Sequence, residues 1–245
     1  MDRFMRTELL LGHSAMERLH GTHVAVFGLG GVGSFTAEAL ARSGIGRLTL
    51  IDKDVVDTTN INRQLIALDH TVGLAKVDVM AERILHINPE CQVVGKKLFF
   101  EEASVTDVFA DRFDYIADAI DTISAKILLV LEAKSRSVPI VSSMGAANKL
   151  DPAKFQVLDL QETTVDPIAK VMRRELKKRG FRDPLPVVCS TESPRTPHYE
   201  ELPERGAMIA NQSRKVAMPP ASIAFVPPVA GLLMASYIVR QLIKV

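Results

Sequence analysis

The run Gly28-Leu29-Gly30-Gly31-Val32-Gly33 restricts what this chain can become more than any other stretch. It follows the apolar segment Val24-Ala25-Val26-Phe27 and precedes Ser34–Ser43, which reads as a helix. A strand that breaks into glycines and restarts as a helix lets the backbone approach an anion closely. The free N–H groups of the first helical turn then face that anion. Asp52 stands 19 positions after Gly33 and ends a second apolar segment, Leu48-Thr49-Leu50-Ile51. A carboxylate there can accept ribose hydroxyls. Together these features predict a nucleotide site, but they do not choose between a dinucleotide and a triphosphate.

The rest of the first half keeps the same rhythm. Gly73–His86 has helical spacing, with Val77, Met80, Ala81 and Ile84 on one face. Tyr115-Ile116-Ala117 and Pro139-Ile140-Val141 read as strands flanking a helix over Ser124–Arg136. Short apolar strands alternating with helices predict an α/β fold: a doubly wound, mostly parallel Rossmann-like sheet covered on both faces. After Gly145 the pattern becomes less regular. Phe155–Leu160 reads as a strand, Asp166–Arg179 as a charged helix and Arg195–Pro220 as a long mobile loop. Residues 1–145 are therefore taken as the nucleotide-binding core. Residues 146–245 are taken as a C-terminal part of the same domain, carrying a basic helix, the loop and a final helix.

Bulk properties narrow the setting. With 245 residues and 47% hydrophobic content, the chain can bury one large core. A net charge of +1 excludes a global field for nucleic acid, so any basic surface must be local. Two cysteines, Cys91 and Cys189, are too few for a disulfide framework and point to a reducing, cytoplasmic location. The first residues contain no apolar signal core. Val216–Val239 carries no charge, yet Pro219, Pro220, Pro227 and Pro228 interrupt it. The clean run from Val229 to Val239 falls short of the ~20 residues that span a bilayer. A buried helix starting after Pro228 is the expectation, and peripheral membrane association through the C-terminus is the disfavoured alternative.

The residues after Asp52 favour a triphosphate. Asp52-Lys53-Asp54 leads through Thr58, Thr59, Asn60 and Asn62 to Arg63-Gln64, and Lys76 follows. An NAD site needs few cations beyond the helix end. A triphosphate that sheds pyrophosphate calls for fixed positive donors and usually a magnesium ion. Arg63 offers a planar fork and Lys76 a point charge. Asp118 and Asp121 fall at the carboxyl end of a strand, where open α/β sheets place ligands, and Asp121 is the candidate for magnesium. Arg63, Lys76 and Asp121 are thus the candidate catalytic residues.

Several segments occur in one order: Arg3-Phe4-Met5-Arg6 with Leu11-Gly12, the glycine run, Leu50-Ile51-Asp52-Lys53-Asp54, Asn60-Ile61-Asn62-Arg63-Gln64, Gly73-Leu74-Ala75-Lys76 and Asp118-Ala119-Ile120-Asp121. In these the chain resembles the ThiF/MoeB/HesA family, relatives of ubiquitin-activating enzymes. The resemblance covers roughly the first half of the chain. It implies an ATP site formed by Gly28, Gly30, Gly31, Gly33, Asp52, Asp54 and Gln64, with Asn60, Arg63 and Lys76 on the phosphates and Asp121 on magnesium. It also implies a homodimer in which Arg6, with Arg3 as second candidate, reaches the partner subunit's ATP.

The second half is similar to a tRNA-modifying branch of that family. The similarity lies in Met144-Gly145-Ala146-Ala147 with Asp151-Pro152, in Val188-Cys189-Ser190-Thr191-Glu192 and in Arg173-Arg174-Glu175-Leu176-Lys177-Lys178-Arg179-Gly180. Two other branches hold a structural zinc through paired Cys-x-x-Cys motifs. This chain has no such motif, so no structural zinc is expected. The implied activity is ATP-dependent adenylation of the carboxylate of threonylcarbamoyladenosine in tRNA. Ring closure by a nitrogen or oxygen of the same substituent follows. Lys170–Arg182 holds seven cations and one acid. Lys170, Arg173, Arg174 and Lys177 share a helical face, and Lys178 adjoins it. These five are the candidate tRNA contacts, with a solvated helix face as the plainer reading.

Intramolecular closure needs no enzyme nucleophile. Cys189 is therefore read as a buried structural thiol rather than an acyl or sulfur carrier, while a sulfur-transfer protein partner stays open. His20 and His23 show no ligand spacing. Three competing functions remain: adenylation of the C-terminal glycine of a ubiquitin-like or sulfur-carrier protein, an NAD-dependent oxidoreductase, and a non-catalytic binding module.

Overall fold

The computed structural model describes residues 2–201 and 220–244. Two short helices, α1 (Met5–Leu11) and α2 (His13–His20), lead into an alternating series. It runs β1 (His23–Phe27), α3 (Gly33–Arg42), β2 (Arg47–Ile51), α4 (Lys76–Ile87), β3 (Gln92–Lys96), α5 (Val105–Val108) and β4 (Tyr115–Asp118). It continues with α6 (Ile123–Ser135), β5 (Ile140–Ser143), β6 (Phe155–Asp159), α7 (Pro167–Lys178), β7 (Pro186–Ser190) and α8 (Val226–Ile243).

The strands form one seven-stranded sheet in the order β3-β2-β1-β4-β5-β7-β6. All neighbouring pairs are parallel except β6 with β7. Chain direction across the sheet reverses between β1 and β4, which opens a crevice at their carboxyl ends. The residues after Gly145 thus extend the same sheet by two strands.

Alternation along β1 explains the two buried faces. Val24 and Val26 pack with Leu19, Leu40, Met80 and Met234 from the helices of one face. Ala25 and Phe27 pack with Phe100, Phe113, Ile116 and Leu129 on the other. Helix α7 closes a third cluster by laying Met172 and Leu176 beside Ile127 and Val130 of α6.

Helix α8 is long and apolar enough to cross a membrane, but half of it is buried inside the protein. It packs along α3, where the Thr36 hydroxyl donates to the Gly231 carbonyl at 3.1 Å. It begins at Val226, earlier than expected, because Pro227 and Pro228 fit in its first turn, where a helix needs no N–H donor. Helix α4 begins at Lys76 rather than Gly73. The preceding residues are held in a turn by the Gly73 amide on the Val56 carbonyl and the Val56 amide on the Leu74 carbonyl. The loop expected over 195–220 falls mostly on residues 202–219, which lie outside the described residues.

Candidate active site

A cleft of about 780 Å³ runs along the carboxyl edge of the sheet. Its wall includes Gly28, Gly30 and Gly31, and also Asp52, Asp54, Asn60, Arg63, Gln64, Lys76 and Asp121. Residues spread over nearly a hundred positions of sequence thus meet around the turn that follows β1. Gly33 is not part of that wall. A Cβ at Gly33 would stand 1.7 Å from the Gly28 carbonyl oxygen, so this glycine serves the packing of helix against loop. Gly28 has φ +84, and a Cβ there would meet the Ala119 carbonyl oxygen at 2.7 Å. Both positions therefore exclude a side chain.

Asp52 does more than face the cleft. One carboxylate oxygen accepts from the Leu29 amide at 2.6 Å and the other from the Asp54 amide at 2.8 Å. The acid at the end of β2 thus ties the glycine turn to the segment carrying the cations. Along that segment, the buried Lys76 ammonium pairs with Asp54 at 3.1 Å. Arg63 donates from one terminal nitrogen to the Thr59 carbonyl and the Asn62 side chain, at 2.8 and 2.9 Å. Asn60 accepts from the Asp57 amide and so fixes the short helical turn before Arg63. The side-chain oxygen of Gln64 is buried at the wall without a partner among the described residues, as suits a group awaiting a ligand.

Asp121 is exposed in the cleft and, among the described residues, accepts only from the Thr122 hydroxyl, at 3.2 Å. Asp118 is placed differently. It is fully buried beneath the wall, paired with Lys126 at 3.0 Å, and accepts from the Ser142 hydroxyl and the Ile120 amide. Lys126 also donates to the Ile120 carbonyl at 3.0 Å. The pair therefore staples the 118–122 turn that presents Asp121. Sequence reasoning overlooked Lys126; its one signal was a lone charge in the largely apolar first turns of a helix, residues 123–131.

The cleft has two distinct ends. At one, beyond β2 and β3, stand Leu98, Phe99 and Phe100, with the Lys53 ammonium 5.1 Å from the Phe99 ring centre. At the other, beyond β5, stand Ser143–Lys149, Asp166 and Ser222. Lys149, Asp166 and Ser222 were also missed from sequence.

The basic helix departs in part from its expected face. Arg173 is half-buried and donates to the Leu160 and Thr163 carbonyls and to the Thr163 hydroxyl, so it fastens α7 to the preceding turn. It is not presented for phosphate. Lys178, Arg179 and Arg174 surround Glu175 and hold its carboxyl down to about 2. Lys170, Arg174, Lys177 and Lys178 are exposed. Arg6 is exposed on α1 and does not line the cleft. Cys91 and Cys189 are both buried and free, and burial pushes the Cys189 thiol up to about 11. His23 is a structural residue, bonded to the Arg112 carbonyl and the Thr49 hydroxyl.

Comparison with known proteins matches residues 2–245 to the ThiF family model. The chain is 50% identical over 244 residues to tRNA threonylcarbamoyladenosine dehydratase of Bacillus subtilis, covering 100% of this chain and 96% of that protein. It is 45% identical over 176 residues to the enzyme of the same name from Escherichia coli, covering 72% of this chain and 66% of the relative. The solved structure of E. coli tRNA N6-threonylcarbamoyladenosine dehydratase, TcdA, in complex with ATP superposes with a TM-score of 0.87 at 35% identity. The match covers 99% of this chain and 94% of that one.

Proposed function

The chain belongs to the ThiF family, and from that membership we propose that it uses ATP to adenylate the carboxylate of threonylcarbamoyladenosine in tRNA and then closes that substituent into a ring. The observation that carries this reading is the meeting of the glycine turn, Arg63, Lys76 and Asp121 on one cleft wall. A free carboxylate resists nucleophiles because it is anionic and its oxygen leaves poorly. Its oxygen attacks the α-phosphorus of ATP, the bond to pyrophosphate breaks, and the carboxyl becomes a mixed anhydride with AMP. A nitrogen or oxygen of the same substituent then attacks the acyl carbon, gives up its proton and expels AMP. Both reactants of this second step share one substituent, so proximity favours it.

Arg63 and Lys76 stabilise the charge that develops on the departing pyrophosphate. The donor set fits magnesium: Asp121 is an exposed carboxylate with an oxygen to spare, and this ion takes one or two carboxylates beside phosphates and water. When bound, the ion supplies further positive charge at the phosphates. Gln64, with its unpaired oxygen, lies where it can accept from the nucleotide or its water. Arg6 lies off this cleft on an exposed helix, and its role at the partner's ATP in a homodimer rests on the family resemblance alone. Lys170, Arg174, Lys177 and Lys178 offer the tRNA backbone a local positive face, and a cytoplasmic location fits that substrate.

Incubation with ATP and tRNA carrying threonylcarbamoyladenosine is expected to release AMP and pyrophosphate. Nucleoside mass spectrometry is expected to show the loss of one water. An unchanged nucleoside mass sinks the reading. The second reading, adenylation of the C-terminal glycine of a ubiquitin-like or sulfur-carrier protein, draws support from 31% identity over 153 residues to molybdopterin-synthase adenylyltransferase of E. coli, covering 62% of this chain and 60% of that protein. It predicts AMP release driven by such a protein and none driven by tRNA. A docking sulfur-transfer partner belongs to this second reading.

Cys189 has no part in the proposed chemistry. Its buried thiol is protonated at neutral pH, and its Sγ lies 3.6 Å from the Ser190 carbonyl oxygen. Cys189→Ala is expected to leave the rate of AMP release and the nucleoside product intact. Removing a covalent nucleophile costs on the order of 10⁶ in kcat, so a collapse of turnover in a folded variant would restore the acyl-carrier role.

A further inference from the structure

We infer that Lys149 and Ser222 form an acceptor subsite that grips the substrate's free carboxylate while it attacks ATP; this rests on the function proposed above. The sheet order sets the layout. The adenosine side of the cleft lies at β2 and β3, where Asp52 and Leu98–Phe100 stand, and the glycine turn follows β1. Arg63 and Lys76, the cations for pyrophosphate, both ride on the segment after β2. In a displacement at phosphorus the attacking and leaving oxygens stand roughly in line. The attacker therefore enters opposite the departing pyrophosphate, at the cleft wall formed by the segment after β5; Ser222 joins the two walls, because its carbonyl accepts from the Asn62 side chain, beside Arg63, at 3.1 Å.

That wall carries a cation with donors to spare. The Lys149 side chain is only 1% exposed yet lines the cleft. Among the described residues its sole partner is Asp166, at a loose 3.4 Å. Asp166 is already engaged, because it accepts from the Gly145 amide at 3.1 Å and caps α7 through the Ala169 amide at 3.0 Å. An ammonium has three N–H donors. Leaving two of them unused in a buried place is costly unless something anionic arrives.

A second unused donor lines the same cleft. The Ser222 hydroxyl is buried without a partner among the described residues. The backbone brings their two segments together. The Asn148 amide donates to the Ala221 carbonyl, and the Ala221 amide donates to the Asn148 side chain, both at 2.8 Å. Asn148 takes φ +59 to close this clamp, a conformation asparagine tolerates. Lys149 and Ser222 are each one residue from it. The pair fits the two oxygens of one carboxylate: one oxygen is held while the other forms its bond to the α-phosphorus, and the electron pair of the broken bond leaves with pyrophosphate. Asp166 acts as a positioning residue for Lys149.

The test compares Lys149→Met and Ser222→Ala with the wild-type protein, using tRNA with and without the threonylcarbamoyl group. A charged hydrogen bond lost from the carboxylate predicts a KM for modified tRNA raised about 10–100-fold in Lys149→Met. Ser222→Ala, a mild change that spares the fold should Lys149→Met misfold, predicts a rise of about 3–10-fold. ATP affinity and competition by unmodified tRNA are expected to stay at wild-type values in both, which a merely structural role would not give. Wild-type KM for modified tRNA in a folded Lys149→Met or in Ser222→Ala overturns the subsite while leaving the reaction standing. Absence of AMP release by the wild-type protein overturns the reaction and the subsite together.

Discussion

Lys126→Met is expected to destabilise the protein by about 3–5 kcal/mol, because it strands a carboxylate in the interior. Asp118 and Lys126 are both fully buried, 3.0 Å apart. With the ammonium gone, Asp118 keeps only the Ser142 hydroxyl and the Ile120 amide as donors. Domains are stable by about 5–15 kcal/mol in total, so the loss is a large share. The second substitution is the informative one. Asp118→Asn together with Lys126→Met removes both charges, and such replacements of whole buried pairs are often close to neutral. Urea unfolding is expected to show the double variant recovering most of what the single variant loses. A single variant as stable as wild type would remove the pair from the account of the fold. The single variant is also expected to bind ATP more weakly, because Lys126 holds the Ile120 carbonyl and with it the turn that carries Asp121.

Lys126 lies in Ser124-Ala125-Lys126-Ile127-Leu128-Leu129, where a lone cation reads as a solvent-facing position. Only the register of α6 over the sheet turns it inward. The glycine turn, Asp52, Arg63, Lys76 and Asp121 were legible because each sits at a strand end or a fixed offset from one, and local geometry fixes their purpose. The other end of the cleft follows no such rule. Lys149 meets Asp166 through an ion pair spanning 17 positions, and Asn148 meets Ala221 across 73. Those meetings depend on the antiparallel turn of β6 against β7 and on the return of the chain before α8. The edge strand β3 escaped because its residues are half-exposed and broken by Gly95. Charge counting also left the pairing within α7 open. Glu175 engages three of the cations and Arg173 points its guanidinium at carbonyls, and composition cannot report who pairs with whom.

Lys76→Ala and Arg63→Ala are each expected to lower the kcat of AMP release by about 10²–10³, the usual effect of removing one fixed donor from a developing negative charge. Neither change is expected to unfold the protein. Asp54, the partner of Lys76, is half-exposed and can return to water, and Arg63 spends its bonds on a neighbouring carbonyl and side chain. Stability and catalysis should therefore separate: melting temperatures near wild type, with turnover far below it. The two cations sit on the same side of the cleft and serve the same leaving group, so their effects should not multiply. The double variant is expected to be only modestly slower than the worse single variant, as happens when groups act as a unit. Rates measured at saturating ATP and modified tRNA decide it. If either alanine variant retains wild-type kcat and shows only weaker ATP binding, that residue stabilises the bound nucleotide and not the departing pyrophosphate. In that event the acceptor's approach from the β5 side loses its geometric basis as well. The same kinetic comparison thus bears on the phosphate cations and on the direction from which the carboxylate enters.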